Sequence, residues 1–192
     1  MFKTRGMIAF LVTTAVAAYL FSLFGNAVAD GLDWREYSDG LMVAPDLVID
    51  EKDAQKVPDF VLYDRFGKNI SLEDFASVDL LIVNVWNSGC PVCEEEIPAL
   101  SEMDRRLASV GNIALITITT DSKWEEVRSF FPLGTDLRVL FDPEEKVTGG
   151  VFKTEKFPET FIIDKNRKIR VRFDGQRQWY SPEMLRYISS FL

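Results

Sequence analysis

The chain has 192 residues, 47% of them hydrophobic and 27% charged, which suits one globular domain of ordinary core size plus an N-terminal appendage and excludes a disordered chain or a multi-span membrane protein. Its formal net charge of −8 argues against nucleic acid as a partner, and the absence of histidine removes Ser-His and Cys-His catalysis, histidine metal ligation and a histidine pH switch. Two cysteines cannot close a structural zinc site, so neither metal nor cofactor is expected.

Residues 1–29 open with Lys3 and Arg5, continue through apolar Met7 to Phe24 and end in Asn26-Ala27-Val28-Ala29. A charged start, an apolar middle and a small-residue end follow one another as in a secretory signal. Ala27 and Ala29 fit an A-x-A cleavage site, but the 18-residue apolar run is also near the length that spans a bilayer. A cleaved signal and an anchor in the inner membrane through residues 7–24 therefore both stand. Either way the charge bias exports everything after Asp30 to a periplasmic or other extracytoplasmic compartment, which is oxidising. Without residues 1–29 the chain keeps 20 basic against 30 acidic residues, a self-repelling and soluble surface.

Residues 30–56 read as a polar, acidic lead-in with one or two short strands around Leu41-Met42-Val43 and Leu47-Val48-Ile49. A domain over 57–192 follows. Phe60 to Tyr63 and Ile70 to Leu72 predict two strands about a turn at Asp64 to Asn69, with Ser71 and Asp74 capping a short helical turn. Leu80 to Trp86 is nearly all apolar and β-favouring, as in a central strand buried on both faces.

Cys90-Pro91-Val92-Cys93 lies at the exit of that strand and holds the only cysteines. Pro91 suits the first turn of a helix, Glu94 to Glu96 suit its positive dipole end, and Ile97, Leu100, Met103 and Leu107 form an apolar stripe. A C-x-x-C pair there puts one sulfur near unsatisfied N–H groups that favour a thiolate, the form that attacks disulfides.

Gly111 is expected to end the helix and Ile113 to Thr119 to form a second buried strand, closing a right-handed βαβ unit. Further on, the pattern predicts a helix over 122–131, a strand over Val139 to Phe141 and a broken helix from Glu144 to Phe152. Two strands, Thr160 to Ile163 and Ile169 to Phe173, and a last helix capped by Ser181 complete the chain. This order argues an α/β architecture with a mixed central sheet flanked by helices and an N-terminal strand extension. No phosphate-binding glycine loop occurs.

With a strand, a C-x-x-C helix, a βαβ unit and a Pro before the final hairpin in that order, residues 57–192 resemble the thioredoxin superfamily. Val85-Trp86-Asn87-Ser88-Gly89-Cys90-Pro91-Val92-Cys93, Glu96-Ile97-Pro98 and Phe157 to Asp164 are similar to its TlpA/ResA/DsbE branch of exported thiol-disulfide oxidoreductases, which often serve cytochrome c maturation. The resemblance implies a thioredoxin-like fold and a redox-active disulfide, with Cys90 attacking and Cys93 resolving. A static bridge is the plain alternative, although so short a loop stabilises little.

It also implies that Pro158 is cis, that the backbone of Phe157 pairs with an extended client segment, and that Glu96 relays protons as a third catalytic residue. A solvated, dipole-matched face is the ordinary reading of such a glutamate run. Trp86 is expected to pack beside the site and, with Gly89, Phe157 and Pro158, to form the client-binding surface. Gly89 departs from the family, many of whose members carry an aromatic residue there.

Clients would be proteins with disulfides or dithiols, apocytochrome c among them, and a reductant in an oxidising compartment needs a membrane electron donor. A disulfide-forming oxidant and a non-catalytic binding module are the alternatives. A peroxiredoxin needs Thr or Ser three residues before its peroxidatic cysteine, where Cys93 has Cys90, and a Sco-type copper chaperone needs a histidine.

Overall fold

The computed structural model describes residues 45–110, 112–131 and 137–192. In chain order these form β1 (Leu47–Val48), β2 (Val61–Asp64), β3 (Asn69–Ser71), β4 (Leu80–Trp86), α1 (Pro91–Leu107), β5 (Ile113–Thr119), α2 (Trp124–Val127), β6 (Arg138–Phe141), β7 (Glu159–Asp164), β8 (Ile169–Asp174) and α3 (Pro182–Ser189). One mixed sheet takes all eight strands in the order β1-β8-β7-β4-β5-β6-β2-β3. The signal or anchor expected over residues 1–29, and the lead-in as far as residue 44, lie outside the described residues.

All seven residues of β4 are buried, because the strand has neighbours on both edges and cover on both faces. It runs parallel to β5 and antiparallel to β7. Leu81, Val83 and Val85 share one face with Phe161 and Ile163, and Val57, Phe60, Leu72, Phe75 and Phe152 close over them. The other face carries Asn84, Thr160 and Phe173. Asn84 bonds Glu96 of α1, and the Phe173 ring stacks edge-on against Tyr187 of α3, so both helices lie on this side.

Local signals account for several boundaries. The Ser71 N–H and hydroxyl both donate to Asp74 Oδ2, at 2.7 and 2.9 Å, capping the 3-10 turn Leu72–Phe75. Ser181 Oγ accepts from the Met184 N–H at 3.1 Å and starts α3. Residues 46–57 do join the sheet, through β1 on β8 and a bridge between Lys56 and Lys168. Helix α1 ends at Leu107, four residues before Gly111, with the Ala108 N–H bonded back to the Asp104 carbonyl.

Two expected helices are shortened or absent. Only Trp124–Val127 is α-helical within 122–131, and a 3-10 turn, Arg128–Phe130, follows it. Residues 144–152 form successive turns instead of a helix. Asp142 takes the Val147 and Thr148 N–H groups on Oδ2 at 2.9 and 2.7 Å, and Glu145 is left-handed at φ 53°, which breaks a helical path.

Gly150 is required in these turns, since a Cβ there would stand 2.3 Å from the Lys146 carbonyl oxygen. Gly150→Ala should therefore lower stability by about 1–3 kcal/mol, read as an earlier urea midpoint at unchanged slope. An unmoved midpoint would show that the turn yields freely.

Candidate functional site

Strand β4 delivers the chain to the cysteine turn. Cys90 is the N-cap of α1, in extended conformation at φ −108° and ψ 100°, and Pro91 follows as the first helical residue, where its missing N–H costs nothing. Cys90 and Cys93 are joined as a disulfide with their Cα atoms 5.3 Å apart. The Cys93 N–H donates to Cys90 Sγ at 3.2 Å. Cys90 is half-buried, whereas Cys93 is 1% exposed, so only the first sulfur can be approached from solvent.

The turn ahead of Cys90 is tied down. Asp121, just beyond β5, accepts from the Ser88 N–H at 2.9 Å and the Ser88 hydroxyl at 2.5 Å, and also bonds the Thr119 hydroxyl. Gly89 is exposed, and a Cβ there would meet Asn87 Oδ1 at 3.4 Å. The flank of Cys90 at Gly89 therefore carries no side chain.

One turn beyond Cys93 on the buried stripe of α1, Glu96 is 1% exposed. Its Oε1 accepts from the Trp179 indole N–H and from the Arg177 main-chain N–H at 3.2 Å, and its Oε2 from Asn84 Nδ2 at 3.4 Å. Burial pushes the Glu96 carboxyl up to about 7, outweighing the bonds from Trp179, Arg177 and Asn84 and the nearby Arg177 charge. Glu94 and Glu95 are exposed. The three consecutive glutamates thus divide into two on the surface and one inside.

The Phe157–Pro158 peptide bond is cis. Because Val85 stands opposite Glu159, the entry of β7 lies beside the exit of β4, and Phe157-Pro158 reaches the same end of the sheet as the cysteine turn. Pro158 is buried and Phe157 half-buried against the core. Among the described residues no backbone group bonds the Phe157 N–H or C=O.

Trp86, expected on the client-binding surface, is wholly buried and offers that surface nothing. Its ring packs 5.7 Å from both Phe130 and Phe131, because as the last residue of β4 it points into the layer under the α2 segment. Its burial and its place next to the cysteine turn both agree with the buried strand expected over Leu80 to Trp86; a place on the client-binding surface does not.

Asn84, Asp121 and Trp179 join the site without a motif to announce them. Asn84 is the one polar residue of β4, a usable signal. Trp179 and Asp121 sit in irregular segments and are brought in by tertiary contacts alone.

A family model described as the AhpC/TSA family matches residues 54–172. The thiol-disulfide oxidoreductase ResA of Bacillus thuringiensis is 27% identical over 124 residues, which cover 64% of this chain and 70% of that protein. Among solved structures, a thiol:disulfide interchange protein DsbE from Chlorobium tepidum matches with TM-score 0.60 at 23% identity over 71% of this chain and 96% of that one. A secreted thiol-disulfide isomerase from Corynebacterium glutamicum matches with TM-score 0.60 at 20% identity, covering 78% and 97%. These folds are thioredoxin-like, and a cysteine pair heads α1 as such an oxidoreductase requires. The chain belongs to the AhpC/TSA family and is a thiol-disulfide oxidoreductase of the ResA type.

Proposed function

We propose that this protein is an exported reductant of client disulfides. Reduced Cys90 attacks one client sulfur as a thiolate, releasing the other as a client thiolate and forming a mixed disulfide. Cys93 then gives up its proton and attacks Cys90 Sγ, forming the intramolecular disulfide and releasing the second client sulfur as a thiolate, and both client thiolates take up protons from water to leave a dithiol. Two electrons pass to the client, and the proton leaving Cys93 goes to the Glu96 carboxylate.

The observation that carries this reading is the unequal placement of the two sulfurs: Cys90 is reachable at the helix start, while Cys93 is buried one turn from a buried carboxylate. The open Phe157 peptide groups support docking of an extended client segment beside the cis bond to Pro158, with bare Gly89 leaving room. Residues 1–29 support export, and the relative from Corynebacterium glutamicum is a secreted protein by its name. Export in turn implies a membrane electron donor, because an oxidising compartment would otherwise leave the pair oxidised. The resemblance to the TlpA/ResA/DsbE branch makes the cysteine pair of an apocytochrome c the first client to test.

Cys93→Ser should capture clients as mixed disulfides on Cys90, since the resolving thiol is gone and the attacking one remains. Finding none in cells, while the intact protein still bound partners, would replace the enzyme by a binding module. Direction is read from the reduction potential. A value near the strong oxidants, about −120 mV, would make the protein a disulfide former, and one near thioredoxin, about −270 mV, fits the reductant.

A further inference from the structure

We infer that Trp179 is a positioning residue that fixes one oxygen of Glu96, so that the other, facing Asn84, is the oxygen that takes up and releases the proton. The inference rests on the reading of Glu96 as the proton acceptor for Cys93 and gives its two oxygens different tasks.

Two donors converge on Oε1: the indole N–H of Trp179, which is itself 0% exposed, and the Arg177 main-chain N–H at 3.2 Å. Neither can turn into an acceptor, because an indole nitrogen and a peptide N–H only donate. A proton on Oε1 would meet two hydrogens head-on, which keeps that oxygen proton-free in both states.

Oε2 faces a group that can serve either state. Asn84 Nδ2 donates to Oε2 at 3.4 Å and to Thr160 Oγ1 at 2.9 Å, while Asn84 Oδ1 is buried with no hydrogen-bond partner. With the carboxylate ionised, the amide presents its N–H₂ to Glu96 and Thr160. With the proton on Oε2, the amide turned over presents Oδ1, which accepts from the carboxyl O–H and from the Thr160 hydroxyl. Each orientation pairs one end of the amide twice and leaves the other unpartnered, so the two states are matched.

The groups around Glu96 leave the proton to this pair. On α1 the neighbouring Cys93 is held in the disulfide and does not titrate, Glu94 and Glu95 are exposed, and β4 and β7 contribute the neutral Asn84 and Thr160. From the segment before α3 the charged group is Arg177, whose guanidinium bonds Asp46 Oδ2 at 2.5 Å and the main-chain carbonyls of Asp174 and Gln176 at 3.0 and 2.9 Å.

The test uses the full-length oxidised protein with no client present, so its outcome does not depend on whether Glu96 serves exchange. Carbon-13 NMR follows the Glu96 carboxyl through pH, and nitrogen-15 NMR follows the Trp179 indole N–H. The indole signal should titrate with the Glu96 midpoint in the wild type and become flat in Glu96→Gln. Trp179→Phe, which removes one donor to the carboxylate, should make Glu96 titrate roughly one pH unit higher. An indole signal that stays flat while Glu96 titrates, or a Glu96 midpoint unmoved in Trp179→Phe, would overturn the inference. Should Trp179→Phe fail to fold, the wild-type indole titration decides alone.

Discussion

Cys90→Ser should reduce thiol-disulfide exchange by about a thousandfold or more, measured as reduction of an aromatic disulfide by the pre-reduced protein. A serine hydroxyl stays protonated where a thiol at a helix N-terminus ionises, so the nucleophile is lost while the fold is kept. The remaining thiol cannot replace it: Cys93 is 1% exposed, and a client disulfide cannot reach its sulfur. Cys93→Ser should behave differently, attacking once at nearly the wild-type rate and then stalling as a mixed disulfide. Alkylation of the reduced protein should show the same order, with Cys90 labelled first and Cys93 protected until the protein unfolds. A Cys90→Ser protein that exchanged within tenfold of the wild type would mean that α1 unwinds enough to expose Cys93, and the two roles would have to be reversed.

That asymmetry was legible in the sequence because it depends on local rules. Pro91 after Cys90 fixes where α1 starts, and a period of 3.6 residues then puts Cys93 with Ile97, Leu100 and Met103 on the inner side. The same period carries Glu96 inward and leaves Glu94 and Glu95 outside, although three consecutive glutamates read by composition alone suggest one solvated face. The nearly all-apolar run of β4 marked the sheet centre for an equally simple reason, since only a strand covered on both faces tolerates it.

What sequence did not reveal depends on contacts between distant segments. Trp179 meets Glu96 across 83 positions of chain, and nothing in the neighbourhood of Trp179 marks it as more than a core aromatic. The helix expected over Glu144 to Phe152 failed because Asp142 draws the following N–H groups into turns, a side-chain competition that apolar spacing cannot register. Trp86 is withdrawn from the client surface by contacts of the same kind: Phe130 and Phe131, from the α2 segment, close over its ring.

Glu96→Gln should flatten the fall in stability of the oxidised protein with rising pH. The carboxyl is raised by burial from 4.5 to about 7, so between those values the native state holds a proton that the unfolded chain has released. Stability then falls as pH rises: the contribution is complete below pH 4.5 and is lost as the pH passes through about 7. For a group 1% exposed, the difference corresponds to roughly 3 kcal/mol. Glutamine keeps an oxygen for the Trp179 and Arg177 donors and cannot ionise, so urea melts of the two proteins at pH 4.5 and pH 8 should diverge by about that amount, with the variant favoured at the higher pH. The sign suits the proposed step: a carboxylate held inside the protein against its solvation preference favours taking up a proton near neutral pH, as transfer from Cys93 would require. The same variant should slow release from the mixed disulfide without slowing its formation, because only the second step discharges the Cys93 proton. Parallel stability curves for the two proteins would show that Glu96 is ionised without penalty, which would remove both the pH-dependent destabilisation and the proposed proton transfer from Cys93.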